Sequence, residues 1–594
     1  MIARVAACLI CVAALAAVTV RADSGADPDT ERGPAQPTAP PARGAVLVGA
    51  TAAWRWQLVT APRITPQIGA LAISGLDVAA GRASAPIAVL GDPTPAPPGW
   101  PYGPGAAGAA SAASTAPATI PAIGAPPADR RIAAAFGVTT FALGPADEGY
   151  EMLELRLRYH DGVAVWLNGL EVVRQALPRG DATTLAARPH GPEWETFYIP
   201  VGPGLLRRGD NVLAVEVHPS GRRDGPTLAA DLIGRRERGI VRGPILTDVG
   251  ATTATIAVET DPGVEAVLEW GAGGGELAQR RQSPAGRRHV FELAELPPGG
   301  VISYRVGAGA TRSPRASFHT LPAPGAPIRI GVYGDVRGGH ATHARLLGGM
   351  LREGLDLVAV TGDMVLHGSD DADWQRFFAV TGALLAQLPY YPAVGNHDLG
   401  WDGADHARRA DEVFALPPGP PGRPAGAYWY SRDAADVHLV FLDSNAYDRA
   451  EQEAWLEGDL AAARARRVRA ILVFTHDGPY SRGYHGGNPV ARARYAPILA
   501  RYKVDLLLSG HDHLYQRGEQ GGVRYVVTGG GGASLYAIRC GVPGRPRCAV
   551  DDGMLAIARE HHYAVLTIAR DLELCVRRAD GTLLEKCVRY RLAT

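Results

Sequence analysis

The sequence predicts a multidomain chain in which two all-β domains precede an α/β domain. Three observations carry that prediction. At 594 residues the chain far exceeds one hydrophobic core, since domains hold roughly 100–200 residues. Its first half alternates apolar and polar residues at strand period, as in Leu153, Leu155, Leu157 and Tyr159, then Val163, Val165 and Leu167. Its second half changes to short, nearly unbroken apolar runs separated by helix-length segments, which suits strands buried on both faces between helices.

The N-terminus reads as an export signal over residues 1–22. Arg4 gives a positive start, Val5 to Val20 is apolar, and Val20-Arg21-Ala22 fits small-residue cleavage before Asp23. The apolar run is short of the roughly 20 residues a spanning helix needs. No other segment is long and apolar enough, so a secreted or periplasmic protein without a stable membrane span is expected. Cys8 and Cys11 would leave with the signal. Cys540, Cys548, Cys575 and Cys587 remain, an even set that suggests disulfides in an exported chain. Local pairing, Cys540–Cys548 and Cys575–Cys587, is favoured over a zinc knot, because the spacings are not CxxC.

Residues 23–45 are rich in Pro, Ala, Asp and Gly and read as a disordered tether. Residues 46–240 form the first globular region, with turn signals at Asp161-Gly162, Asn168-Gly169 and Gly209-Asp210-Asn211. A Pro/Ala/Gly-rich stretch, 92–128, reads as a flexible insertion within it. Residues 241–322 read as a small all-β domain, with strands over 254–258 and 264–270. A Pro/Gly linker, 322–327, leads to the α/β region, 327–594. Sixty basic residues balance sixty acidic ones, so no electrostatic footprint for nucleic acid or acidic lipid is present. Lys503 and Lys586 are the only lysines, and the scattered arginines that replace them read as a composition bias.

In the α/β region five apolar runs read as strands: IRIGVYGD (328–335), LDLVAVTGD (355–363), YYPAVGNHD (390–398), ILVFTHD (471–477) and VDLLLSGHDH (504–513). Helix-like segments lie at 341–354, 370–388, 451–467 and 489–502. Each run ends in a polar string at its carboxyl end, where open α/β sheets place their sites. The strand ends supply Asp335, Asp363, Asn396-His397, His476 and His511-Asp512-His513. A lone Asp after a strand is usually a turn residue or cap, and a lone His-Asp-His a solvated loop. Five such ends in order point elsewhere. Hydrolysis of a phosphate ester needs an activated water, neutralised phosphoryl charge and a protonated leaving oxygen. Metal ions held by Asp, Asn and neutral His supply the first two.

These motifs, GD (334–335), GD (362–363), GNHD (395–398), FTH (474–476) and GHDH (510–513), resemble in order the five motifs of calcineurin-like metallophosphoesterases. Residues 241–322 resemble the fibronectin type III-like N-terminal domain of purple acid phosphatases. YHDGVAVWLNGLEVVR (159–174) and LRRGDNVLAVEVH (206–218) resemble galactose-binding-like β-sandwich modules, whose role here stays open between spacer and glycan or cell-wall contact. The resemblance implies a four-layer α-β-β-α domain and two metal ions (Fe, Mn or Zn). It implies Asp363 as bridge, Asp335 and His513 on metal one, and Asn396, His476 and His511 on metal two. The substrate it implies is a small-molecule or macromolecular phosphate ester, attacked by a metal-bound hydroxide with His as general acid.

The sequence departs from the family at metal one. Where the family writes DxH, this chain has Asp335-Val336-Arg337, and Arg cannot ligate. Where purple acid phosphatases carry a tyrosine in GDxxY, it has Leu366, so no tyrosinate colour is expected. His343, with His340 as rival, is a candidate replacement ligand. Arg337 is read either as a phosphate clamp or as a salt-bridge partner. For proton transfer His397 matches the leaving-group His of the family, with Asp398 to orient it. His485, in HDGPYSRGYHGG (476–487), is the second candidate. Tyr480 matches an aromatic of that run. The run Gly529 to Gly532, the string His561-His562-Tyr563 and Trp455 read as structural. A second class of function stays open: a surface or glycan-binding protein with a degenerate phosphatase domain.

Overall fold

The computed structural model of the protein describes residues 44–62 and 130–593 apart from short gaps, the longest at 221–226, 400–413 and 542–547. The expected signal, the 92–128 insertion and nearly all of the tether lie outside the described residues.

Two packed sheets form the first β-rich region. One has the order β1 (Ala45–Val48), β9 (Thr227–Arg235), β4 (Met152–His160), β7 (Trp194–Pro200). The other has β2 (Arg55–Pro62), β3 (Arg130–Leu143), β8 (Gly209–His218), β5 (Gly162–Leu167), β6 (Leu170–Gln175). The period-2 pattern puts Leu153, Leu155 and Leu157 of β4 and Val163, Val165 and Leu167 of β5 in one core with Leu213, Val215 and Val217 of β8. Buried Asp161 stands where the chain passes from the first sheet to the second. Its carboxylate accepts the His190 and Ser220 N–H groups at 3.0 and 2.6 Å. Asn168-Gly169 closes the β5–β6 hairpin with both residues at positive φ, 52° and 86°, the turn that Asn-Gly favours.

A third sheet follows: β10 (Ile240–Val249), β11 (Ala254–Ala272), β13 (Val301–Ala308), β14 (Thr311–Arg312), with β12 (Gln279–Leu293) on β11 and β15 (Ala316–His319) on β13. The two strands expected at 254–258 and 264–270 are one long strand, β11. Its register with β12 shifts between Glu259 and Val264. Pro262, which lacks an N–H, and Gly263, at φ 74°, interrupt the pairing there without ending the strand.

The remaining strands make two mixed sheets. The first runs β18 (Tyr390–Pro392), β17 (Leu357–Val360), β16 (Ile328–Tyr333), β26 (His562–Ile568), β27 (Asp571–Arg578), β28 (Val588–Arg591). The second runs β19 (Tyr430–Ala434), β20 (Val437–Phe441), β21 (Ala470–Phe474), β22 (Leu506–Ser509), β24 (Val523–Thr528), β23 (Tyr515–Gln520), β25 (Met554–Ala558). Ile330, Val332, Leu357 and Ala359 of one share a core with Leu439, Phe441, Leu472, Phe474, Leu506 and Leu508 of the other. On the outer face of the first lie α1 (His340–Met350) and α2 (Asp371–Leu385), through Leu346, Met350, Trp374 and Phe377. Helices Ala450–Ala465 and Ala496–Arg501 cover the second through Leu456, Leu460, Ile498 and Leu499. The layers are therefore α-β-β-α. The helix expected at 489–502 is broken: a π-turn over Ala491–Tyr495 precedes Ala496–Arg501, because Pro497 has no N–H for an ordinary helical bond.

Cys540–Cys548 and Cys575–Cys587 are disulfides, the local pairing expected. Among the described residues no helix is long and apolar enough to cross a membrane. His561, His562 and Tyr563 are structural as read; buried His562 faces Thr528 at 3.1 Å.

One buried histidine makes stability depend on pH. The ring of His438 lies between Asp433 (2.6 Å) and Asp459 (2.8 Å). Burial alone would lower its pKa, but the two hydrogen-bonded carboxylates push it up to about 8 from 6.5. A raised folded-state pKa contributes stability fully present below the unfolded value and lost as pH rises through the folded one. Relative to His438→Gln, the wild-type chain should lose about 1 kcal/mol between pH 6 and 9, a value discounted for the exposure of Asp433. Urea unfolding of both proteins across that range checks it.

Candidate metal centre

The carboxyl ends of β16, β17, β18, β21 and β22 converge. The parallel pairings β16–β17–β18 and β20–β21–β22 align these ends. Three buried groups, Asp335, Asp363 and His513, bring ligand atoms within 4.8 Å of one another. Backbone geometry is unusual at this point. Asp335, Arg337, Asp363 and His511 all have positive φ, at 62°, 43°, 55° and 68°, a conformation that non-glycine residues hold only where surroundings enforce it. Two glycines make the approach possible. A Cβ at Gly395 would stand 2.1 Å from Asp363 Oδ1, and one at Gly510 would stand 2.3 Å from Asp335 Oδ2.

The outer half of the cluster centres on His476. Its Nε2 lies 3.3 Å from Asp363 Oδ1, 3.0 Å from Asn396 Oδ1 and 3.1 Å from His511 Nδ1. Donors about 2.0–2.2 Å from one ion are separated by roughly these distances. The other ring nitrogen, Nδ1, donates to the Thr361 carbonyl at 2.8 Å, which turns the Nε2 lone pair toward the cluster. Burial and the neighbouring His476 and His485 hold His511 well below the usual imidazole range, so its ring is neutral and can ligate. Asn396 is exposed and His511 half-buried, so this half opens to solvent.

The inner half holds Asp335 and His513, both without exposed surface. His513 Nε2 is 3.5 Å from Asp335 Oδ1, and its Nδ1 donates to the Ser534 carbonyl at 2.7 Å. The His511 N–H donates to both Asp335 oxygens at 2.9 and 3.1 Å. Burial pushes the Asp335 carboxyl up, and the nearby Asp363 adds to the shift against the pull of His476 and Arg337. For Asp363 burial acts in the same direction, but His476, His397 and Arg337 prevail and hold it well below the usual carboxylate range. On His476 burial is likewise outweighed, by Asp363 and Asp335, which push it up to about 10. Two fully buried carboxylates thus demand positive charge at this point, and the donor set of Asp, Asn and His fits a transition-metal ion.

Several residues take roles other than those expected. His343 is buried against Tyr333 and Phe377, with ring centroids at 5.2 and 5.8 Å. It is an aromatic core residue on α1, and the helix carries it away from the cluster. Burial drives its pKa down to about 3. The rival, His340, faces Arg376 and Asp373 of α2. Asp398 does not orient the His397 ring. Its carboxylate accepts backbone N–H groups of Asp363, Met364 and Gly395 at 2.8–2.9 Å. His397 is held instead through Nδ1 by the Leu366 carbonyl at 2.7 Å. Arg337 makes the salt bridge, with Nε 3.2 Å from Asp363 Oδ2. His485 comes in from the loop after β21 and lies beside His511, centroids 3.8 Å apart. Its N–H donates to Asp512 Oδ1 at 2.9 Å. Tyr480 is a core residue packed on Tyr525.

Tyr536 was not singled out in the sequence. Its ring stacks on His513 at 3.9 Å and 16°, and its hydroxyl accepts from Arg337 Nη1 at 3.4 Å. The run Gly529 to Gly532 leads to it. Gly531 N–H donates to the Gly334 carbonyl at 2.8 Å, so the run packs directly on the Asp335 loop. Four consecutive glycines shortly before an aromatic residue are the available signal: they permit such a close approach.

Comparison with known proteins decides the family of this half. Residues 328–515 match the calcineurin-like phosphoesterase family. They form a calcineurin-like phosphoesterase domain. The chain is similar to purple acid phosphatase 21 of Arabidopsis thaliana, 26% identical over 262 residues that cover 42% of this chain and 59% of that protein. It is similar also to the probable inactive purple acid phosphatase 1 of that plant, 23% identical over 352 residues covering 46% and 56%. The chain thus spans little more than half the length of these relatives. In fold it resembles a purple acid phosphatase from yellow lupin seeds, with a TM-score of 0.51 and 17% identity over 79% of this chain and 94% of that one. The phosphoesterase domain places its candidate ligands at the strand ends where the sequence motifs fall.

Proposed function

We propose that the chain is an exported, metal-dependent phosphoesterase that hydrolyses phosphate esters. The observation that carries this reading is the convergence of Asp363, Asn396 and His511 donors within 3.0–3.3 Å of His476 Nε2. A bound ion there supplies a Lewis acid for a phosphoryl oxygen and lowers the pKa of water. Asp363 and Asp335 set the charge of the site, and Thr361 and Ser534 carbonyls fix the ring tautomers of His476 and His513. His397, its Nδ1 anchored on Leu366, can hold a proton on Nε2 for the leaving oxygen. His485 beside His511 is the alternative donor. Two disulfides support an oxidising compartment. The intact donor set speaks against a degenerate, purely adhesive domain.

The test is hydrolysis by the purified chain, stripped of metal and then reloaded with Mn²⁺ or Zn²⁺. Metal-dependent release of phosphate is expected; absence of release with every ion sinks the reading. A second measurement assigns the acid. His397→Ala should slow an alkyl phosphate about 10²–10³-fold and p-nitrophenyl phosphate much less, since nitrophenolate leaves without a proton. If both substrates slow equally, His397 is not the acid, and the same pair of assays on His485→Ala decides the alternative.

A further inference from the structure

The two halves of the centre are unequal. In the outer half four neutral or anionic donors surround one point, and none of the described contacts puts a fixed cation among them except at the far oxygen of Asp363. The inner half offers Asp335, Asp363 and His513, and a guanidinium already stands there. Arg337 is 1% exposed. Its Nε lies 3.2 Å from Asp363 Oδ2, the oxygen turned away from the His476 contact. Its Nη1 lies 3.4 Å from the Tyr536 hydroxyl, and the Tyr536 ring is stacked on His513. A guanidinium stays protonated and cannot ligate. An ion bound between Asp335, Asp363 and His513 would therefore lie beside a permanent positive charge in a low-dielectric setting, where like charges repel strongly. Among the described side chains Tyr536 lies against both Arg337 and His513, and the candidate extra ligand His343 is packed in the aromatic core.

We infer that Arg337 takes the place of one metal ion: the centre holds a single ion tightly in the outer set, and the guanidinium, steadied by Tyr536, is the fixed cation of the inner half. With one divalent ion the two carboxylates and the guanidinium leave a single excess positive charge, and a second divalent ion would add two more. Two carboxylates, Asp335 and Asp363, face one divalent ion and one guanidinium. The inference rests on the metal-dependent reading above, and the experiment separates the two.

The full chain is stripped with chelator, reloaded with Mn²⁺ and desalted, and metal per chain is measured by mass spectrometry and titration calorimetry. Wild type should retain about one ion, with any second ion bound at least about 100-fold more weakly. Arg337→His removes the cation and adds a donor, so it should retain about two. If that variant fails to fold by circular dichroism, Arg337→Ala should still tighten the second site. The retained ion should survive Asp335→Asn and be lost in His511→Ala. Two ions of similar affinity in wild type would overturn the inference and leave the phosphoesterase reading standing. So would loss of the retained ion in Asp335→Asn but not in His511→Ala, or a visible charge-transfer band on Fe³⁺ loading that places Tyr536 on an inner ion. No retained ion in either wild type or Arg337→His would overturn the metal-dependent reading itself.

Discussion

Replacing Asp363 with asparagine should reduce hydrolysis by about three orders of magnitude or more and strip the protein of its retained metal. Asp363 is the point where every part of the centre meets. Its Oδ1 faces His476 at 3.3 Å and accepts the His397 N–H at 3.0 Å, while Oδ2 accepts from Arg337. The asparagine side chain has the same shape, so loss of shape does not enter. What changes is one full negative charge on a side chain with no exposed surface. Arg337 would then be offset by Asp335 alone, and a divalent ion would bind where no net negative charge remains. A bound ion is worth several kcal/mol of transition-state stabilisation, and each 1.36 kcal/mol is tenfold in rate. The measurement is phosphate release and metal content of folded Asp363→Asn beside wild type. Activity within about tenfold of wild type would mean that the chemistry is elsewhere in the chain.

The sequence made much of this legible, and the reasons are physical. Strands buried on both faces read as unbroken apolar runs: β16, β17, β18 and β22 lie within four of the five runs expected, and β21 starts one residue before the fifth. A glycine before an acid or histidine at a strand end marks where backbone must turn sharply and approach closely, as at Gly395 and Gly510. Strands β20 and β23 carry no ligands and were passed over, although VHLVF at Val437–Phe441 is as apolar as its neighbours. Side-chain direction was not legible. His343 and His513 are both fully buried histidines, yet His513 turns into the cluster and His343 packs between Tyr333 and Phe377. Spacing from Asp335 could not settle whether His343 or its rival His340 reaches the cluster, because the helix start at His340 decides which way each side chain of that segment points. Tyr536 was invisible for a similar reason. It reaches the site only because the glycine run folds back on the Asp335 loop, a contact between segments far apart in sequence.

Asp398→Ala should destabilise the domain by about 3–5 kcal/mol and abolish metal retention, although Asp398 touches neither metal nor substrate in the proposed scheme. Its carboxylate has no exposed surface and accepts the N–H groups of Asp363 (2.9 Å), Met364 (2.8 Å) and Gly395 (2.9 Å), with Val365 at 3.4 Å. Each buried donor left without an acceptor costs about 1–3 kcal/mol, and three neighbouring ones do not add fully. Those N–H groups belong to the loops that set the positive φ of Asp363 and the start of α3 (Asn396–Leu399). Without their common acceptor, the strained conformation of Asp363 keeps only its other contacts, such as the Val336 N–H on its carbonyl at 2.8 Å and the His397 N–H on Oδ1 at 3.0 Å. Asp398→Asn is the sharper variant. It keeps shape and one oxygen but turns an NH₂ toward backbone donors, so it should still lose about 2 kcal/mol or more. An Asp398 that merely oriented His397 would behave otherwise: Asp398→Asn would lower kcat while leaving urea stability and metal content unchanged. Unfolding curves and metal analysis of the two variants therefore distinguish an organiser of the backbone from a partner of the acid, and the hydrogen bonds predict the first.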